Sequence, residues 1–256
     1  MKGKSIPLGQ VAAFCDKYCN REQVADFDGA FNGLQCENRR QTVSHIGVAV
    51  DAGLGTFERA AFAGVDFLIV HHGLFWNAPH PFTGVRFRRL DALLSNGIAL
   101  YGAHLPLDVH QKIGNNATLA RLLKLSVDHW TLPYEGTPTS PAIVRCPARA
   151  DLRKRLEKLF SGKITAIEKG PAQPKKIVVV TGSGASVMPH LGAIGADTLI
   201  TGELRQAHFA QAEDEGLNLY LCGHYATEVF GVQNLAAAAA KHFGIPCTWI
   251  PSDCPL

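Results

Sequence analysis

Two histidines, His71 and His72, stand side by side at the end of the apolar run FLIVHH. A buried imidazole needs a partner for each ring nitrogen, and neighbouring residues at a strand end point to opposite faces, so an adjacent pair can serve two different ions. A lone histidine on such a run is ordinarily a core residue with satisfied hydrogen bonds, but the doublet, followed at once by Gly73, reads as a metal-binding element. Further on, GHYATEVFG sets His224 and Glu228 four residues apart, on one face if the segment opens a helix. That spacing also occurs in simple surface pairs, and the glutamate that follows the first His of a zincin motif is missing. The segment AHLPLD repeats the arrangement with His104 and Asp108. Imidazole nitrogens combined with carboxylate oxygens suit zinc, iron, manganese, nickel or cobalt, whereas an all-oxygen set would suit magnesium or calcium.

The elements that must position these residues are legible as alternation. Short β-branched runs (IGVAV 46–50, FLIV 67–70, IALY 98–101, KIVVV 176–180, TLIT 198–201, LNLYL 217–221) are separated by Ala- and Leu-rich stretches of helical length, the pattern of sheets covered by helices. The tract LAAAAAKHFG predicts a late helix stopped at Gly244, just before Ile245 and Pro246. In open α/β sheets ligands gather beyond the carboxyl ends of the strands. Every candidate lies there: Asp51 ends IGVAVD, His71 and His72 end FLIVHH, His104 follows IALYGA, Glu203 ends TLITGE and His224 follows LNLYLCG.

The chain also repeats itself. Residues 46–72 match 177–203 without a gap at an offset of 131, with seven identities that include Gly64/Gly195, Asp66/Asp197 and Leu68/Leu199. The match resumes as NGIALYGAH against EGLNLYLCGH and settles at an offset of 120, which sets His104 opposite His224 and Asp108 opposite Glu228. The shorter offset places a longer loop in the first half, around Leu74 to Val85. The expected fold is α/β, with two similar strand-helix-strand halves, 1–130 and 131–256, packed face to face over a metal cleft within one continuous domain.

Composition excludes several classes. At 46% hydrophobic and 18% charged, the 256 residues describe an ordinary globular protein with a net charge of only +3. The basic group Arg153, Lys154, Arg155 and Lys158 alternates with Leu152, Leu156 and Leu159 at helical spacing, a solvated face, so no nucleic-acid partner is expected. No apolar run approaches the ~18 residues that cross a bilayer, and the opening MKGKSIPLGQ lacks the apolar stretch of a secretory signal; the expected address is the cytoplasm, with no membrane partner. Seven cysteines without a CxxC pair argue against a disulfide framework and a thiolate zinc site. There is no Walker A motif, and TGSGAS at 181–186 reads as a plain turn more readily than as a phosphate nest.

Taken together, NGLQ (32–35), HHG (71–73), AHLPLD (103–108), TGE (201–203) and GHYATE (223–228) resemble the dinuclear-metal proteins labelled GTP cyclohydrolase 1 type 2, or Ngg1-interacting-factor-like, over nearly the whole chain. The resemblance is to the short form, without an inserted domain. It implies that His71, His72, Asp108, His224 and Glu228 hold two divalent ions per chain, with Glu228 bridging, and that the chain assembles as a toroidal homohexamer. Three histidines and two acids do not saturate two ions separately, so a bridging carboxylate and a bridging water complete the count. One departure is Gly73, where the family often has proline. The expected activity is metal-dependent hydrolysis of a small molecule, GTP cyclohydrolase-like or phosphoester-acting, with Glu203, His104 or Asp51 orienting a water or protonating a leaving group. The competing expectation is a non-catalytic metal-handling or regulatory protein.

Overall fold

The computed structural model describes all residues except 1–3, 77–79, 135–136 and 256, and the backbone alone at 132–134 and 137–139. The chain forms two compact units, one of residues up to Leu107 with Gly231–Asp253, the other of Asp108–Phe230 with the last residues. This differs from the expected halves 1–130 and 131–256. The last strand, Cys247–Trp249, returns to lie parallel to the edge of the first sheet, where Ile46 N donates to Pro246 O (3.0 Å) and Ile250 N to Val48 O (2.8 Å). Nothing in the periodicity of a three-residue strand announces that partner.

The first unit begins with β1 (Ile6–Pro7) and α1 (Leu8–Tyr18), then β2 (Gly33–Cys36) and β3 (Thr42–Val43). Its centre is β4 (Ile46–Asp51), α2 (Leu54–Phe62), β5 (Phe67–His72), α3 (Gly84–Asn96) and β6 (Ala99–Gly102), followed by the short α4 (Leu105–Val109). The three central strands are parallel, and β2 closes the β6 edge antiparallel. A parallel sheet needs cover on both faces. On one face Ala49, Leu68, Val70 and Leu100 pack with Phe57, Ala60 and Leu93 of α2 and α3. On the other, Tyr101 reaches α1, where its hydroxyl donates to Asp16 Oδ1 at 2.8 Å.

The second unit follows this order around its parallel strands, except that a single 3-10 turn, Met188–His190, stands where the first unit has α2. After α5 (Asn115–Leu122) and the hairpin β7 (His129–Tyr134) and β8 (Thr137–Ile143) come α6 (Arg149–Leu159), β9 (Thr165–Glu168), β10 (Ile177–Ser183), β11 (Thr198–Glu203), α7 (Ala207–Glu215), β12 (Asn218–Leu221) and the first turns of α8 (His224–Phe243), whose residues from Gly231 onward belong to the first unit. Strands β10, β11 and β12 are parallel, and β9 closes the β12 edge antiparallel as β2 does β6. Alternation along β10 sends Ile177 and Val179 to the α5 and α6 side and Val178 to the opposite side with Leu199 and Leu219.

The two halves are similar down to single side chains. Asp66 accepts the amides of Ser44 and His45, and Asp197 accepts that of Lys175, so each acid ties the start of β5 or β11 to the turn before the preceding strand. Tyr220 is the counterpart of Tyr101, buried in the same register, with its hydroxyl on Glu168 Oε1 at 3.0 Å. The expected long loop is there too: β5 and α3 are separated by residues 73–83, of which 77–79 lie outside the described residues, whereas 204–206 suffice between β11 and α7. The basic group falls on α6 with Leu152 and Leu156 buried, as its spacing predicts.

Candidate metal centre

In the first unit His71, His72 and His104 each offer a ring nitrogen, and these atoms lie within 4.8 Å of one another. The frame that brings them there is the parallel sheet, since β5 delivers the first two and the turn after β6 the third. Each Nδ1 faces an oxygen acceptor. His71 Nδ1 donates to Ala103 O (2.9 Å), His72 Nδ1 to Asp51 Oδ1 (2.8 Å) and His104 Nδ1 to Asp26 Oδ1 (2.9 Å). Acceptors in all three places put the ring proton on Nδ1 and make Nε2 the nitrogen with the lone pair, the arrangement by which outer groups orient metal-binding imidazoles. The donor set therefore fits a divalent ion that takes nitrogen.

Asp51, expected to act on water or a leaving group, orients His72 as its register partner across β4 and β5. His104, expected outside the ligand set, shares the imidazole cluster. Behind it stands Asp26, which carries no periodic signal in VADFDG and escapes a reading of spacing. Its side chain is 5% exposed. Burial opposes ionisation there, but hydrogen bonds from His104, Asn32 and the Phe27 amide outweigh it and hold the carboxyl below its ordinary range. Asn32 Oδ1 also accepts the His104 amide at 2.7 Å, which gives the NGLQ motif a first purpose.

Gln35 gives it a second. Its Oε1 accepts the Leu74 amide (2.7 Å) and its Nε2 donates to Phe31 O (2.6 Å), so the amide lies flat against Gly73. A Cβ at residue 73 would run into that side chain. Glycine at 73 thus leaves Gln35 where it bonds Leu74 and Phe31, and proline there would push that amide aside.

In the second unit His224 and Glu228 occupy the first turns of α8, with Nε2 and Oε1 3.2 Å apart, while Glu203 at the end of β11 meets His224 Nδ1 at 3.1 Å. The hydrogen-bonded Glu228 carboxylate, opposed by burial and aided by Glu203, pushes the His224 imidazole up to about 9. An ion that takes Nε2 must displace that proton. Glu228 is buried, and Gly182, at φ +63°, makes room for it, since a Cβ there would collide with Glu228 Oε1 and come within 3.1 Å of His224 Nε2. Asp108, also buried, accepts from Asn115 Nδ2 (2.8 Å) and Thr181 Oγ1 (3.3 Å), and Asn116 Oδ1 accepts the Thr181 amide at 2.7 Å. The adjacent asparagines opening α5 were a visible signal, since two buried amides at a helix start need a purpose.

Among the described residues no helix is long and apolar enough to cross a membrane. A profile described as Duf34/NIF3 (NGG1p interacting factor 3) matches residues 6–255. A "GTP cyclohydrolase 1 type 2 homolog" of Deinococcus radiodurans is 38% identical over 86% of this chain and 84% of its own. One from Pyrococcus abyssi is 35% identical over 96% of this chain and 98% of its own. Among solved structures, a Thermus thermophilus protein is 36% identical with a TM-score of 0.87, covering 98% of this chain and all of the other. The protein ybgI, described as of unknown function, is 32% identical with a TM-score of 0.89 at the same coverage.

Proposed function

The chain belongs to the Duf34/NIF3 family, and from that premise we propose that it binds two divalent metal ions and uses them as a hydrolase. The ligands in this reading are His71, His72, Asp108, His224 and Glu228, with Glu228 bridging. The observation that carries it is the convergence of His71, His72 and His104 within 4.8 Å, each ring held at Nδ1 by an oxygen. When bound, a pair of such ions supplies Lewis acidity and makes water a nucleophile near neutral pH.

The chain's own residues have separable tasks. Asp51 and the Ala103 carbonyl fix the rings of His72 and His71. Asn115 and Thr181 hold Asp108, and Glu203 holds His224. His104, backed by Asp26, is the proton carrier: a buried carboxylate on Nδ1 stabilises the imidazolium formed when Nε2 takes a proton. The substrate is a small molecule of nucleotide or phosphoester character; the relatives' name, GTP cyclohydrolase 1 type 2 homolog, supports the nucleotide.

Protein purified without added metal should carry about two divalent ions per chain by elemental analysis, as two-metal sites do. Nucleotide or phosphoester turnover should vanish on chelation and return with the ion found. Metal at one ion per chain or less, after reloading, would sink the dinuclear reading, and metal transfer to an acceptor without turnover would sink the hydrolase. The assembly proposed with it is a cytoplasmic toroidal homohexamer, which light scattering would record as six times 27.6 kDa.

A further inference from the structure

Beside the imidazole cluster the first unit holds a cavity of about 420 Å³, walled by Phe31, Phe75, Trp76 and Phe82 and by Arg86 and Arg89 of α3. That volume suits a small ligand of mononucleotide size. Phe31, Phe75 and Phe82 are exposed, although Phe57, Phe67, Tyr101 and Tyr220 are buried completely. Trp76 belongs to both places. Its indole donates to Gly73 O at 2.9 Å, and its ring stands edge-on to His104 with centroids 4.8 Å apart and lies 6.0 Å from His72.

The arginines supply charge on one side of this aromatic box. Three residues apart on α3, they share a helix face. Among the described residues Arg89 Nε is shielded from water and has no hydrogen-bond partner, and the nearby acid on α3, Asp91, stands two residues on and accepts from Ser95. A shielded guanidinium nitrogen without a partner is costly, and an anion is the group that would satisfy it. Flat aromatic walls suit another flat ring, and Arg pairs bind phosphate or carboxylate with directional bonds.

We propose that this cavity is the substrate-recognition pocket, taking a planar aromatic ring that carries an anionic group, with the ring among Phe31, Trp76 and Phe82 and the anion on Arg86 and Arg89. It deepens the metal-centre reading and rests on it for one point, that the bound molecule is presented to the imidazoles through the shared Trp76 wall. Binding itself does not require metal.

Calorimetric titration of the full chain with AMP and GMP, in chelator-treated and in metal-loaded form, tests it. Both forms should bind at least one of the two nucleotides. Adenosine and guanosine should each bind at least about tenfold more weakly, as should the nucleotide to Arg89→Gln, the loss expected for a charge-assisted contact, while inorganic phosphate, and the nucleotide on Trp76→Leu, should lose a similar factor through the missing ring stacking. The proposal is overturned if neither nucleotide binds, if inorganic phosphate binds as tightly as the nucleotides, or if Arg86→Gln/Arg89→Gln together leave affinity unchanged. It is also overturned if that double variant lowers the mass seen by light scattering while no nucleotide binds, since the face would then join copies of the chain. A protein that binds AMP through Arg89 but holds no metal would sink the metal centre and leave the pocket standing.

Discussion

The two halves share a frame and differ in what they hang on it. At the end of β5 stand His71 and His72; at the equivalent end of β11 stand Gly202 and Glu203. After the third parallel strand both halves carry a histidine, His104 or His224, yet its Nδ1 meets the loop residue Asp26 in one and the strand-end Glu203 in the other. Asp51, which orients His72, has Gly182 as its counterpart, where the same backbone position clears space for Glu228. Asp66 and Asp197 keep one job, because the start of the second parallel strand needs the same tie to the preceding turn in both halves, and Tyr101 and Tyr220 keep their register while handing their hydroxyls to different acids, Asp16 of α1 and Glu168 of β9. Residues beyond the strand ends are released from that demand, and there one half became imidazole-rich and the other acidic.

This contrast can be broken most sharply through Glu228. Glu228→Gln turns the proposed bridging carboxylate into a neutral amide of the same shape, and both ions should be lost together in equilibrium dialysis. His71→Ala, on the imidazole side, should drop metal content to one ion or none, whereas two ions retained in either variant would undo the assignment. His104→Ala should keep two ions and lose the hydrolytic rate; if it sheds metal as His71→Ala does, His104 is a ligand and the imidazole half is a three-histidine set.

Next in size come the orienting acids. Asp26→Asn and Asp51→Asn keep the volume but remove the charge behind His104 and His72, and changes at such positions cost about 10- to 100-fold in metal affinity or activity. Asp26→Asn should act on rate and Asp51→Asn on metal affinity, read from steady-state turnover and from competition with a chromogenic chelator. The reverse pattern would exchange the roles assigned to the two histidines.

A smaller effect separates the halves through the backbone. Gly182→Ala forces a side chain into a left-handed position against Glu228, a strain of about 1–3 kcal/mol in thermal unfolding, and it should also weaken metal binding. The smallest effects belong to the shared frame. Tyr101→Phe and Tyr220→Phe each remove one hydrogen bond, about 0.5–1.5 kcal/mol, and should leave metal content untouched. A frame variant that changed metal content would show that frame and site are not separable.

Much of this was open to a reader of the sequence. All six β-branched runs form strands, the gapless repeat at offset 131 reappears as matching registers, and the Ala-rich helix ends where Gly244 predicts. These are local or periodic properties, since a strand buried on both faces must be an apolar run and a helix must stop where the chain turns left-handed. The histidines and acids at strand ends were identifiable for the same reason, because position relative to a strand is written in the strand's own pattern. The partners of those residues were not. Asp26 and Asn32 reach His104 across more than seventy residues, Thr181 reaches Asp108 across a similar span, and Cys247–Trp249 pairs with β4 from the far end of the chain. Such contacts leave no period behind. They exist only once the chain has closed, because a hydrogen bond between distant residues depends on where the backbone brings them and not on what stands beside either one in the sequence.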